Sequence, residues 1–295
     1  MGSNTQPTFE YEALTGFFMQ DEAATDPSSF DYRKTNFGLI ARLYPTDDPE
    51  DVAIPQWHRF MRYLNHLIQT SPDGVFYKLI YLGRHGEGYH NVAEAYYGTA
   101  AWDDYWSKLD GNGSISWSDA HLTDTGQEQA REASIFFGQQ FAWAKMPEPE
   151  RYYSSPLWRC LQTADLTFSG LKLPEDRPFL PVVKEMLREV MGVHTCDRRS
   201  SRTAIHERWR TWEIEEGFSE EDELWVPDRR ETRGEHDVRE KKLLDDVFAN
   251  DRSRVVSMTA HSGTIASLLR IVGHREFKLK TGGLIPVLIK AIRRI

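Results

Sequence analysis

Cysteine is scarce: Cys160 and Cys196 are the whole complement. Two thiols cannot build a disulfide framework, and they suit a reducing compartment. Neither stands in a Cys-x-x-Cys pair, so no zinc or other metal site is expected from them. An excess of positive charge is also missing. The 295 residues carry a formal charge of −9 at pH 7, which argues against a nucleic-acid partner, because that would need a basic face. An anionic ligand must then be drawn in by a local basic pocket. No apolar run approaches the length of a membrane span. Met1–Gln6 has no basic region followed by an apolar stretch. Position 6 is Gln, where acylation at Gly2 would call for Ser or Thr. A cytoplasmic protein without a membrane partner is expected. No Pro-, Gly- or Ser-rich linker divides the chain, and no internal repeat is evident.

What is present is a soluble, globular composition, 40% hydrophobic and 27% charged. Residues 1–75 form an irregular, aromatic-rich extension, expected to bury rings over a core without a sheet of its own. Within it, Gln56 to Gln69 has helical spacing and ends at the turn Ser71-Pro72-Asp73-Gly74. Strand-like runs then alternate with helices. The strands are Lys78–Leu82, Arg151–Ser155, Phe179–Met186, Val255–Ala260 and Leu284–Ile292, where Pro286 hints at an edge or bulge. The helices are one capped by Thr123 or Thr125, then Trp158–Phe168, Arg239–Phe248 and Gly263–Val272. This alternation predicts an α/β fold: three layers, α/β/α, around a mostly parallel central sheet. Residues 76–295 make the main domain, with insertions near 96–120 and 197–249.

Four segments stand just after strands, where open α/β sheets place ligands. The first is Leu82-Gly83-Arg84-His85-Gly86, continuing through Glu87 to Asn91. The second runs Ser154-Ser155-Pro156-Leu157-Trp158-Arg159 and on to Gln162-Thr163-Ala164. The third is Leu187-Arg188-Glu189 and the fourth Thr259-Ala260-His261-Ser262-Gly263. An arginine can fork two hydrogen bonds to phosphate oxygens, and a histidine can serve as charge partner, base or nucleophile.

Together these segments resemble the histidine phosphatase superfamily, in its phosphoglycerate-mutase-like branch, over about Leu79 to Val272. The overall cast is most similar to fungal phosphoglycerate-mutase-like proteins. The resemblance implies that His85 attacks phosphorus and becomes phosphohistidine. It implies that Arg84, Arg159 and His261 surround the phosphoryl oxygens, and that Asn91 hydrogen-bonds them. Glu189 would be the proton donor to the leaving oxygen and then the base for water; Glu185 and Glu87 are rival carboxylates. Glu87 is otherwise expected at the periphery of the site. Ser262 and Gly263 open a helix whose N–H groups could add to an anion site. His194 is a candidate for the substrate mouth. The basic run Arg198–Arg202 reads as a solvated face, or else as a second anion site. Glu213–Glu223 reads as a solvated helix or lid surface, and Trp102, Trp106 and Trp117 as packing or a pocket wall.

The expected activity is metal- and cofactor-independent hydrolysis of a small phosphorylated metabolite. Three alternatives stand beside it: mutase-type return of the phosphoryl group to the substrate, reuse of the fold in a specialised biosynthetic pathway for dephosphorylation or other acid/base chemistry, and phospho-ligand binding without turnover. A homodimer is left open.

Overall fold

The computed structural model describes residues 7–294, so the Met1–Gln6 segment read above lies outside them. In chain order its main elements are β1 (Phe9–Ala13), α1 (Gln56–Thr70), β2 (Val75–Arg84), α2 (Tyr89–Tyr97), α3 (Thr99–Asp104), α4 (Asp124–Gln139), β3 (Arg151–Ser154), α5 (Trp158–Phe168), β4 (Val182–Val183), α6 (Arg202–Arg208), β5 (Glu213–Ile214), α7 (Arg233–Asn250), β6 (Val255–Ala260), α8 (Ser262–Ile271) and β7 (Leu284–Arg293). The strands make one sheet, ordered β1-β7-β2-β6-β3-β4-β5. From β2 to β5 all neighbours are parallel; β7 runs antiparallel to β2 and β1.

β2 shows why the sheet sits between two helical layers. Leu79 and Tyr81 turn to one face, Ile80 and Leu82 to the other, and all four are buried. A strand covered on both faces needs apolar residues at both parities. Leu243, Leu244 and Phe248 of α7, with Ile265, Leu268 and Leu269 of α8, cover the Ile80 face. Trp57 and Phe60 of α1, Phe136 and Phe137 of α4, and Phe168 of α5 cover the Tyr81 face. Among the described residues, no helix is long and apolar enough to cross a membrane.

Several local expectations change in the folded chain. The described part of the N-terminal extension contributes β1 to the sheet edge, with Phe9 opposite Arg293. The Phe9 amide also donates to Asp245 on α7, at 3.2 Å. Beyond β1, Phe17, Phe18, Tyr32, Phe37 and Tyr44 pack on the Tyr81 face, with the Phe37 and Tyr81 rings 5.0 Å apart. The strand expected over Phe179–Met186 contracts to Val182–Val183, because a turn closed by the Leu187 amide on the Lys184 carbonyl, at 3.1 Å, ends it. Pro286 lies past the end of β1, where no strand flanks that side of β7, and its carbonyl accepts from the Gln20 amide.

The basic run is not a solvated face throughout. Arg199 is buried, paired with Glu185 at 2.8 Å and donating to the carbonyls of Ser219 and Glu221. The acidic stretch is not a helix. It forms β5 and then turns inward, where Asp222 meets Arg188 at 2.5 Å.

Candidate active site

Strand register assembles the site. Parallel pairing sets Arg84 opposite Ala260, so the next residues, His85 and His261, leave the sheet side by side, their rings 5.2 Å apart. Pairing of β3 with β6 sets Ser154 opposite Thr259 and delivers Arg159 on the first turn of α5. The loop after β2 lies backbone-to-backbone on the start of α4: a Cβ on Gly86 would fall 2.3 Å from the Gly126 carbonyl oxygen. Only glycine permits that approach.

An open cleft of about 290 Å³ results, lined by Arg84, His85, His90, Asn91, Arg159, Glu189, His194, Arg230 and Ser262, with Glu94, Thr99, Trp102, Asp103, Cys196 and Asp197 completing its walls. His85 is 2% exposed, and its Nδ1 donates to its neighbour Gly86's carbonyl at 2.7 Å. That bond fixes the tautomer, so Nε2 keeps its lone pair. Burial, reinforced by Arg159 and Arg84, pushes the His85 pKa well below that of an ordinary histidine. A neutral imidazole with an available lone pair beside two guanidiniums is suited to attack an anionic phosphorus centre.

The arginines are held differently. Arg84 donates one Nη to the Leu279 carbonyl at 2.8 Å, while its buried Nε has no protein partner among the described residues. Arg159, 1% exposed, bonds the Cys196 carbonyl at 2.6 Å and Asp197 at 2.9 Å, and its Nε is likewise unpartnered. Both guanidiniums line the cleft beside His85, so an oxyanion there is a chemically natural complement.

Glu189 faces these cations from the loop after β4. The Val190 and Gly263 amides donate to its two oxygens, each at 2.9 Å, and fix the carboxylate plane. Its rivals are committed elsewhere. Glu185 pairs with Arg188 and Arg199. Glu87 accepts from the Thr123 hydroxyl at 2.7 Å and is not among the cleft residues; it ties the first loop to α4 instead of meeting a ligand.

Two further expectations are corrected. His261 is fully buried beside His85 and is not among the residues that line the cleft; its Nε2 lies 2.7 Å from the Ser155 hydroxyl. The Gly263 amide, expected to help an anion site, is occupied by Glu189. Asn91 and Ser262 do line the cleft. Asn91 Oδ1 accepts from the Gly88 amide at 3.0 Å, which leaves the side-chain amide nitrogen for a ligand. His194 also reaches the cleft, 3.6 Å from Asp103, its pKa lowered chiefly by burial. Trp102 packs on Trp117 yet contributes to the wall.

Sequence reasoning passed over Arg230 and Arg239. Arg230 enters the cleft bonded to Asp197 and the Gly192 carbonyl, at 2.9 and 2.7 Å. Arg239 on α7 donates to the carbonyls of Arg188 and Glu189, each at 3.0 Å, and so anchors the loop that carries Glu189. Nothing in the sequence distinguishes either from the chain's other arginines. His194, Cys196 and Asp197 bring three donor atoms within 4.8 Å of one another. Asp197 is taken up by Arg159 and Arg230, and burial raises the Cys196 thiol pKa well above the ordinary range. This suits an ion-pair lattice, not a set of metal ligands.

Fold and site together point to an enzyme of the phosphatase and mutase class. The chain belongs to the histidine phosphatase superfamily (branch 1), whose family model matches residues 80–280. It is 52% identical over 286 residues to the "Probable phosphoglycerate mutase" of Arthroderma benhamiae, covering 96% of this chain and 85% of that one. It is 34% identical to the "Probable phosphoglycerate mutase PMU1" of Saccharomyces cerevisiae, covering 79% and 85%. Among solved structures, "Mycobacterial hydrolase 1" aligns at 19% identity with a TM-score of 0.45, over 75% of this chain and 98% of that one.

Proposed function

We propose that this protein is a phosphomonoesterase that hydrolyses a small phosphorylated metabolite through a phosphohistidine on His85. The observation that carries this reading is the fixed tautomer of His85 in a cleft it shares with the guanidiniums of Arg84 and Arg159. His85 Nε2 forms a bond to phosphorus as the ester oxygen departs with the electron pair of its P–O bond. Glu189 supplies the proton to that oxygen. It then takes a proton from water as the water oxygen attacks phosphorus and the P–N bond breaks, releasing phosphate and restoring His85. Arg84, Arg159 and Asn91 hold the phosphoryl oxygens throughout, the positioning and charge stabilisation on which phosphoryl transfer depends.

The outer cleft favours water over a phosphoglycerate as acceptor. The cleft lining includes the carboxylates of Glu94 and Asp103, and Arg230 is already bonded to Asp197 and Gly192. A substrate carboxylate would meet like charge there, whereas hydroxyl groups would find acceptors.

The test is phosphate release from p-nitrophenyl phosphate and a panel of sugar, polyol and acid phosphates, with EDTA present. Wild type is expected to turn over and His85→Ala to be inactive, with acid-labile phosphate trapped only on wild type. Isomerisation of 3-phosphoglycerate outpacing phosphate release would overturn the hydrolase reading in favour of a mutase.

A further inference from the structure

His90 stands in the cleft beside His85 with no role in the scheme above. It is 8% exposed, its ring lies 5.4 Å from that of His85, and it lines the cleft. Its two nitrogens have unlike surroundings. Nδ1 is buried without a partner, pressed against Gly88 so closely that a Cβ there would fall 2.7 Å from it. Nε2 has no hydrogen-bond partner among the described residues either, but it is not among the sealed atoms.

That asymmetry selects a tautomer. A proton on Nδ1 would be a buried N–H with no acceptor, an orphaned donor. A proton on Nε2 leaves only an unpaired acceptor at Nδ1 and offers an N–H to the cleft. An unsatisfied buried donor is the rarer and costlier of the two arrangements. Burial, with Arg159, His85 and Arg84 nearby, keeps His90 neutral, its pKa well below the ordinary value. The two adjacent imidazoles are therefore set in opposite senses: His85 shows a lone pair to the cleft, and His90 shows a donor.

We propose that His90 is a further catalytic residue, donating its Nε2–H to an oxygen of the phosphoryl group as it moves to and from His85. The proposal rests on the phosphatase reading. It also gives a purpose to Gly88, since a side chain there would displace the His90 ring. His90 sits on the first turn of α2, one residue before Asn91, so both side chains are delivered from one rigid element.

The experiment compares wild type with His90→Phe, which keeps a flat ring but no donor, and His90→Gln, which restores an N–H. Each is measured for kcat and KM on p-nitrophenyl phosphate and for binding of orthovanadate and inorganic phosphate by calorimetry, with melting curves as the control for folding. A donor to a charged oxygen is worth roughly 10- to 100-fold. His90→Phe is expected to lose about that in kcat/KM and in vanadate affinity while melting near wild type, and His90→Gln to recover part of it. Wild-type kinetics and vanadate binding in His90→Phe would overturn the proposal. Equal losses in His90→Phe and His90→Gln would overturn it too, as the mark of a packing role. Should wild type bind phosphate but not turn over, the phosphatase reading fails by itself, and the phosphate affinity of His90→Phe still decides the role of His90. Should wild type bind neither anion, both fall.

Discussion

Gly263→Ala separates catalysis from folding, because its effect falls on one carboxylate. Gly263 is the second residue of α8, and its backbone has no positive φ, so alanine suits the conformation. Helix propensity alone would favour alanine by up to about 1 kcal/mol. The new Cβ, however, would sit 2.0 Å from Glu189 Oε1 and 2.9 Å from the carboxyl carbon. Relieving that contact takes a shift of about 1 Å or more, given normal non-bonded separations. The shift breaks the 2.9 Å bond from the Gly263 amide that orients the carboxylate. A displacement of about 1 Å at a catalytic group costs on the order of 100-fold in rate. The variant is expected to melt within a few degrees of wild type and to lose about that factor on an alkyl phosphate, whose leaving oxygen needs a proton. The loss should be smaller on p-nitrophenyl phosphate, whose leaving group departs as a stable anion. Steady-state kinetics on both esters, beside a melting curve, make the test. Wild-type turnover of the alkyl phosphate would refute the assignment of Glu189.

Glu189→Gln is expected to abolish most turnover with the fold intact. Glu185→Gln should instead lower the melting temperature, because it weakens the pairing of buried Arg188 and Arg199; parallel kinetics and melts distinguish the two. Asp197→Ala strands Arg159, which is 1% exposed, and Arg230 without their shared carboxylate. Breaking a buried pair in this way costs about 3–5 kcal/mol, readable as a lower urea midpoint. Folded-state pKa values of His85, His90 and His261 are all depressed well below the ordinary value. The unfolded chain therefore binds protons first as pH falls through about 6.5, and stability declines below that point. The slope reaches at most about 1.4 kcal/mol per pH unit for each histidine. Chemical denaturation at pH 7.5, 6.5 and 5.5 should show it, and a flat profile would count against three buried neutral imidazoles.

Local pattern carried much of this protein. The apolar runs of β2 and β6, the helix Trp158–Phe168 and the Thr123 cap of α4 follow from residues within one turn or one strand of each other. For the same reason the loops bearing Arg84, His85, Arg159 and Glu189 could be placed at strand ends before their neighbours were known. Other features depend on partners distant in sequence. β1 pairs only because Leu284–Arg293, far along the chain, leaves an edge for it; its own residues alternate apolar and charged, a strand signal that does not name its partner. That Glu189 lines the cleft while Glu185 is taken up in pairing depends on Arg188, Arg199 and the Gly263 amide, which close ion pairs and hydrogen bonds across loops. The same holds for the burial of Arg199, the retreat of His261 onto Ser155 and the entry of Arg230 into the cleft. The sequence by itself determined which chemical groups were present and at which strand ends they stand, because periodicity and turn chemistry are local. Only the tertiary structure decided which of those groups face the cleft and which are consumed in pairing, because burial and charge partnership are properties of segments brought together from different parts of the chain.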